Sequence, residues 1–276
     1  MNTELSVWSS YYVDLSPEDA ILEFKKHGIF YTELSDEHSL ELLQRGDASV
    51  VGSKFRSFIQ REGFCIPQGH LWLRCQICTV DDAVDILKKW LDLYVAIGIK
   101  NAVLHVDNMK NDNSLTNDEK RAMNIDKLKQ IQKYILDNNL DICICLENLG
   151  GIVADADGLN YLIDNLDSRC FGICLDTGHL NLHDKDQKSF ILKAGKRLKA
   201  LHIADNEGLK DQHMMPYGRG NIDFAEIINA LETVEYSGLF NLEIPGERNA
   251  PLEIRGYKLE YIKKCYQFMV DKNKKY

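Results

Sequence analysis

The fold of this chain is decided by one stretch, Cys170-Phe171-Gly172-Ile173-Cys174-Leu175-Asp176-Thr177-Gly178-His179-Leu180. An apolar run of strand length ends there in Asp176, which is followed by Thr-Gly and then by His179. A carboxylate at the end of a buried strand often serves only as the N-cap of the next helix. Because several other apolar runs in the chain also end in polar side chains, we expect Asp176 to point into a shared site.

Eight runs of strand length alternate with helical patterns along the sequence. The predicted strands are Leu5–Tyr12, Phe30–Leu34, Phe64–Pro67, Ala102–Asp107, Ile142–Asn148, the run from Cys170, Leu198–Ala204 and Gly238–Ile244. The predicted helices run from the Ser16-Pro17 start to Gly28, then over Asp36–Leu43, Lys54–Arg61, Val80–Ala96, Asp118–Asp137, Asp155–Asn165, Gln187–Ala194, Phe224–Glu235 and Leu252–Met269.

This alternation predicts the fold class. Nearly continuous apolar strands separated by helices indicate a parallel sheet covered by helices. Eight alternations in 276 residues, with no Gly/Ser-rich or Pro-rich linker, favour a (β/α)₈ barrel over an open sheet. We therefore predict an α/β TIM barrel that forms a single domain over residues 1–276.

Composition narrows the functional class. Apolar residues make up 45% and charged residues 27%, as in soluble globular proteins, and no apolar run is long enough to span a bilayer. The N-terminus lacks the layout of a signal peptide, so a cytoplasmic enzyme is expected. A net charge of −9 argues against a nucleic-acid or membrane partner. Eight Cys are too sparse for a disulfide scaffold.

Polar side chains end most of the predicted strands. In a TIM barrel the carboxyl ends of the strands, with the loops after them, form one mouth. The polar residues expected at that mouth are Glu33, His70, His105, Glu147, Asp176, His202 and Glu243. The fold would therefore bring together residues that are scattered over most of the sequence.

The ends of the last four strands predict a metal site. Glu147, Asp176 and Glu243 would repel one another in an apolar mouth, and a divalent cation would remove that penalty. Three oxygen donors with the imidazole of His202 suit Mn²⁺ best, while Mg²⁺, Co²⁺, Zn²⁺ or Fe²⁺ would also fit. Any one of these residues alone could be a helix cap or a satisfied core group, but the four together favour a metal.

The long loop after the seventh strand carries a second polar cluster. Asp211 and His213 could bind a second metal or contact substrate, and Asp205 could orient His202 or His213. Arg219, between two glycines, could reach a substrate oxygen or phosphate, or it could be a surface charge in a turn.

The motifs resemble those of a known family. Glu147-Asn148, Asp176-Thr177-Gly178-His179, His202-x-x-Asp205 and the segment from Asp211-x-His213 to Ile222-Asp223, with Glu243, are similar to the xylose isomerase-like TIM barrels, in particular the sugar phosphate isomerase/epimerase group. The resemblance implies one divalent ion held by Glu147, Asp176, His202 and Glu243. It also implies that Glu147 and Glu243 transfer protons, with His179 and Arg219 near substrate oxygens.

The implied reaction fits these residue types. Moving a stereocentre or carbonyl along a sugar requires removal of a proton next to a carbonyl, and two carboxylates could take and return that proton. The expected partner is a small carbohydrate, free or phosphorylated, and a homodimer or homotetramer is consistent with the sequence. We expect the substrate to contact Glu33, His70, His105, His179, Asp211, His213 and Arg219, with Trp8, Tyr11, Tyr12 and Trp72 as further candidates for the pocket wall.

Other functions use related residues. Abasic-site nucleases of the endonuclease IV type share the barrel, and their ligand order can be traced here through His70, His105, Glu147, Asp176, His179, His202, Asp211, His213 and Glu243. Gly178 stands where those enzymes have Cys, however, and the acidic balance fits DNA poorly. A lyase or dehydratase acting on inositol-like or glycoside substrates, and a metal-binding sensor without activity, are the remaining alternatives.

Overall fold

The computed structural model describes residues 3–110 and 112–272. Its strands are β1 (Glu4–Val7), β2 (Tyr31–Leu34), β3 (Cys65–His70), β4 (Asn101–His105), β5 (Cys143–Glu147), β6 (Phe171–Asp176), β7 (Leu198–His202) and β8 (Leu239–Leu242). Its α-helices are α1 (Pro17–Lys26), α2 (Asp36–Gln44), α3 (Ala48–Arg61), α4 (Ala83–Ile97), α5 (Asn117–Asp137), α6 (Ala156–Asp164), α7 (Thr177–Leu182), α8 (Gln187–Ala194), α9 (Phe224–Thr233) and α10 (Leu252–Lys272).

The strands are parallel and close into a barrel. Strands β2 to β7 pair in sequence order, and β1 pairs with β8. An isolated parallel bridge between Ile203 and Leu242 joins β7 to β8. On the other side, the Thr32 hydroxyl on β2 donates to the Val7 carbonyl on β1 over 2.5 Å. The predicted (β/α)₈ TIM barrel is therefore confirmed.

Side-chain caps start most of the helices. Ser16, Ser35, Asp47, Asp155 and Asp223 each accept a backbone N–H from the first turn of the helix that follows. Such caps satisfy N–H groups that have no partner inside the helix, which fixes where each helix begins. The apolar faces of these helices then pack on the strands to form the main core.

The predicted elements differ from the observed ones most clearly at the first strand, at α3 and at α7. The first strand ends at Val7, and a 3-10 turn over Ser9–Tyr12 replaces its second half. Tyr11 and Tyr12 leave the strand because both rings pack against Phe24 of α1, in the helix layer. Helix α3 begins at Ala48 instead of Lys54, and the short helix α7 was not predicted.

Among the described residues, none of the helices combines the length and the apolar character that crossing a membrane requires.

Candidate metal centre

Four polar residues meet at the carboxyl ends of neighbouring strands. Glu147, Asp176 and His202 are the last residues of β5, β6 and β7, and Glu243 directly follows β8. His202 Nδ1 lies 3.0 Å from Glu243 Oε2 and 3.4 Å from Glu147 Oε1. One potential ligand atom from each of the four residues lies within 4.8 Å of the others. The structure thus brings together all four residues predicted as metal ligands.

The unpaired atoms of this group fit a cation. Asp176 Oδ2, His202 Nδ1 and Glu243 Oε2 are buried, and none has a hydrogen-bond partner among the described residues. A buried polar atom without a partner is costly, so such atoms occur where an ion, a water or a ligand binds. Three carboxylate oxygens and one imidazole nitrogen form a ligand set for a divalent cation.

The pKa values of the group also favour a bound cation. Burial alone would lower the pKa of His202, but Cys174, Glu243, Glu33 and Glu147 raise it well above 6.5. Burial raises the pKa of Asp176 to about 7. Without an ion, protons on these groups supply the positive charge that the carboxylates need. A divalent cation can replace those protons.

A second group lies at the rim of the mouth. Asp211 Oδ2 is 3.2 Å from both His179 Nε2 and His213 Nε2. His213 Nδ1 lies 2.9 Å from the Glu243 carbonyl, which leaves Nε2 facing Asp211. Burial works against their charge, but Asp211 raises the pKa of His213 to about 10, and Asp176 together with Asp211 raises that of His179 to about 12. These three residues could hold a cation or bind an anionic part of a substrate.

A third group surrounds the other side of Glu147. His105 Nε2 lies 3.1 Å and His70 Nε2 3.5 Å from Glu147 Oε2. His70 Nδ1 is 2.6 Å from the Leu71 carbonyl, which accepts its proton and leaves Nε2 directed at Glu147. His70 is 1% exposed, whereas 18% of the His105 side chain is exposed, so His105 is the better placed of the two to meet a substrate.

Asn148 and Asp205 hold the backbone near the four-residue group in place. Asn148 Nδ2 donates to the Asp176 carbonyl, and Asn148 Oδ1 accepts from the Asp176 N–H. Asp205 Oδ1 accepts from the Asn206 and Ile222 N–H groups, which ties the start of the loop after β7 to its end. Asp205 does not contact His202 or His213 through any hydrogen bond of the described residues, so its predicted role in orienting them is replaced by a role in the loop.

Glu33 does not lie where a substrate contact was predicted. It is 0% exposed and its carboxylate faces His202, with Glu33 Oε2 2.9 Å and Oε1 3.1 Å from His202 Nε2. Gln68 and Asn241 donate to the same carboxylate. Strand β2 therefore turns Glu33 into the barrel beneath the candidate ligands, away from the open mouth.

Arg219 is also placed differently from the prediction. Its side chain is 73% exposed and lies 3.5 Å from Glu207, on the outside of the loop. The glycines on either side of it give the loop a close turn, and a Cβ at Gly220 would lie 2.1 Å from the Asp205 carboxylate. The surface-charge alternative for Arg219 is the one that the structure supports.

The family described as xylose isomerase-like TIM barrel matches residues 23–265. The chain belongs to this family.

Within the xylose isomerase-like TIM barrel family, several relatives are sugar epimerases. An L-ribulose 3-epimerase of Methylomonas sp. is 27% identical over 128 residues, which are 45% of this chain and 42% of that protein. An uncharacterised protein of Sinorhizobium fredii is 31% identical over 65% of this chain and 56% of the relative. The chain thus spans about half the length of the curated relatives it matches.

Solved structures support the same fold. A D-psicose 3-epimerase from Clostridium cellulolyticum H10, crystallised with D-tagatose, superimposes with a TM-score of 0.78 and 14% identity, covering 97% of this chain and 99% of that one. At that identity the likeness concerns the fold alone. A probable endonuclease 4 of Mycoplasmopsis synoviae is 32% identical over 40% of this chain and 43% of its own length, so both enzyme types have members similar to this chain.

Proposed function

We propose that this protein is a divalent-metal-dependent isomerase or epimerase of a sugar or sugar phosphate. The observation that carries the proposal is the buried group of Glu147, Asp176, His202 and Glu243, in which one potential ligand atom of each residue lies within 4.8 Å of the others. The sugar 3-epimerases among its relatives support the substrate class. Mn²⁺ is the ion we expect, because three carboxylates and one imidazole suit a cation between hard and borderline.

Glu147 and Glu243 are the proposed proton-transfer pair. Burial raises the pKa of both carboxyl groups, but the charge of His202 outweighs it and lowers the pKa of Glu243 to about 2 and that of Glu147 well below 4.5. Both are therefore carboxylates at neutral pH, the form that accepts a proton from carbon. A bound ion would polarise the carbonyl next to that carbon and make the proton more acidic.

Two carboxylates at one substrate carbon provide a route to epimerisation. One carboxylate takes the proton from the carbon beside the carbonyl, becoming a carboxylic acid and leaving an enediolate. The other carboxylate, protonated by water for this step, delivers that proton to the opposite face, and the first then releases its proton to water. His179, His213 and Asp211 at the rim are the proposed contacts for substrate oxygens, and His105 is a further one. Because Arg219 is exposed and beside Glu207, it is left out of this proposal.

Isotope exchange tests the function. The protein loaded with Mn²⁺ is incubated in D₂O with free and phosphorylated ketoses, and deuterium is sought at the carbons beside the carbonyl. We expect exchange with the native protein and none with Glu243→Gln, which should also bind Mn²⁺ more weakly. Glu235→Gln is the matched control, because Glu235 is exposed and forms an ion pair with Lys196 at the opposite end of the barrel. Full exchange by Glu243→Gln would contradict the role of Glu243.

Phosphodiester hydrolysis is the second candidate function. The specific observation that favours it is that three groups of potential ligands meet, with Glu147 in two of them. Such a mouth could hold more than one ion and so activate water beside a phosphate. Metal content per chain and incision of abasic DNA are measured on the same preparation. Incision without deuterium exchange would replace the isomerase proposal.

A further inference from the structure

A buried network of polar side chains lies beneath the candidate metal ligands, inside the barrel. Its members come from β1, β2, β3, β7 and β8, and each is 0–1% exposed: Ser6, Glu33, Gln68, His202 and Asn241. Ser6 is the register partner of Asn241, and Glu33 is the register partner of Gln68. Neighbouring strands thus present these polar side chains to the same part of the barrel interior.

The hydrogen bonds of the network fix the direction of each donor. Ser6 Oγ donates to Asn241 Oδ1 over 2.8 Å, so the Asn241 amide nitrogen faces the other way and donates to Glu33 Oε2 over 3.2 Å. The Gln68 amide nitrogen donates to the same Glu33 oxygen. Glu33 is therefore held in place from two sides, and its carboxylate can only accept.

This arrangement decides which nitrogen of His202 carries a proton. The Glu33 carboxylate lies 2.9 and 3.1 Å from His202 Nε2, so Nε2–H donates to it. When His202 is neutral, its lone pair is then on Nδ1, the atom 3.0 Å from Glu243 and 3.4 Å from Glu147. A metal-binding histidine commonly donates its other N–H to a carboxylate or carbonyl, which fixes the tautomer and the ring orientation.

We propose that Glu33 is a positioning residue that holds His202 in the Nε2–H tautomer and so presents Nδ1 as a metal ligand. The inference rests on the metal centre of the proposed function. It assigns Glu33 to the metal site through His202, without any contact to substrate.

Glutamine cannot replace Glu33 in this role. The Asn241 and Gln68 amides both donate to the Oε2 position, so the oxygen of a glutamine would be drawn to that side. Its amide nitrogen would then take the Oε1 position, 3.1 Å from His202 Nε2. There a donor faces the His202 N–H, and the oxygen that stays at the Oε2 position, 2.9 Å from Nε2, is uncharged and already accepts from two amides, so the Nε2–H tautomer loses the charged acceptor that favours it.

Metal affinity is the test. Mn²⁺ binding to native protein, Glu33→Gln and the control Glu37→Gln is measured by calorimetry at neutral pH, together with the melting temperature in EDTA. Glu37 lies four residues further on, is exposed, and accepts a hydrogen bond from Ser10 Oγ at 3.2 Å. We expect Glu33→Gln to bind Mn²⁺ roughly 10–100-fold more weakly, the usual effect of losing such a partner, and Glu37→Gln to bind it normally.

The outcomes separate this inference from the proposed function. If native protein binds no divalent ion, the metal centre itself is wrong and the role of Glu33 is overturned with it. If native protein binds Mn²⁺ and Glu33→Gln binds it equally well, only the positioning role is overturned. A raised KM with unchanged metal affinity would instead make Glu33 a substrate contact.

A second variant guards against a folding defect. Glu33→Asp keeps the negative charge but withdraws the carboxylate from His202 Nε2 by about one methylene. We expect it to melt close to the native temperature in EDTA and yet to bind Mn²⁺ more weakly. Native affinity in a folded Glu33→Asp protein would show that the carboxylate need not contact His202.

Discussion

At the scale of single residues, Asp176 uses its two carboxylate oxygens differently. Oδ1 accepts the His179 N–H over 2.6 Å and caps α7, whereas Oδ2 is buried and has no hydrogen-bond partner among the described residues. A cap explains the first oxygen and a cation explains the second. The two explanations that the sequence left open for Asp176 are therefore compatible.

This division predicts different results for two substitutions. Asp176→Asn keeps an oxygen for the cap but loses the anionic ligand, so it should fold with near-native stability and bind Mn²⁺ weakly. Asp176→Ala loses both and should unfold about 1 kcal/mol more easily than Asp176→Asn. Urea unfolding of the two metal-free proteins and Mn²⁺ titration of each provide the measurements. Tight Mn²⁺ binding by Asp176→Asn would show that Asp176 is only a cap.

The residue types of the site were predictable from the sequence, but the directions in which their side chains point were predictable only in part. Glu147, Asp176, His202 and Glu243 stood out because a carboxylate or imidazole at the end of an apolar strand has few other uses. Glu33 is the second-to-last residue of its strand, and the strand turns it under the site. Whether a side chain near the end of a strand points to the open mouth or to the barrel interior depends on the register of that strand with its neighbours. The sequence of a single strand does not show this register.

At the scale of elements, helix α7 shows where periodicity fails. It has six residues, Thr177–Leu182, too few for a repeating apolar pattern, and it starts directly at the end of β6. The longer helices were predictable because each buries one face over many residues, and the strands because most of them are nearly continuous apolar runs between the helices. Residues such as Gln68, Asn148 and Asn241 gave no signal, since a polar residue in or beside a strand indicates nothing until its partners are known.

Helix α2 carries a buried imidazole that should make the fold sensitive to acid. His38 is 2% exposed, with Nδ1 2.9 Å from Ser9 Oγ and Nε2 3.1 Å from the Leu15 carbonyl. Burial lowers the pKa of His38 below 6.5. The folded state therefore takes up its proton less readily than the unfolded state, and stability present above pH 6.5 is lost as pH falls through the folded pKa.

The prediction is a difference between two proteins. Unfolding free energies in EDTA are measured at pH 7.5 and 5.5 for native protein and for His38→Gln. We expect the unfolding free energy of the native protein to fall more between pH 7.5 and pH 5.5 than that of His38→Gln, because only the native protein contains the buried imidazole. The other histidines titrate in both proteins and cancel in the comparison. Equal changes in the unfolding free energy of the two proteins would mean that His38 remains neutral in both states or does not contribute to the pH dependence of stability.

At the scale of the whole molecule, the barrel buries several carboxyl groups at one of its ends. The chain has a net charge of −9, and Glu33, Glu147, Asp176 and Glu243 are all buried at one end of the barrel. They come from β2, β5 and β6 and from the residue after β8, so an ion bound there would join strands far apart in sequence. Metal binding should accordingly stabilise the fold as a whole, beyond ordering one loop.

The last prediction concerns removal of the metal. At a free ion concentration about 100 times Kd, binding stabilises a fold by about 2.7 kcal/mol, which corresponds to roughly 5–10 °C in a protein of this size. We expect the melting temperature of native protein in Mn²⁺ to exceed that in EDTA by such an amount. Because a proton on His202 or Asp176 competes with the ion, the difference should shrink as pH falls.

The control for this measurement is a protein that lacks one proposed ligand. Asp176→Asn should melt at nearly the same temperature in Mn²⁺ and in EDTA, since the remaining residues hold the ion poorly. An equal gain in both proteins would place the stabilising ion elsewhere, and the rim group of His179, Asp211 and His213 would be the next site to test. His213→Gln distinguishes that site, because it removes a rim residue while Glu147, Asp176, His202 and Glu243 remain.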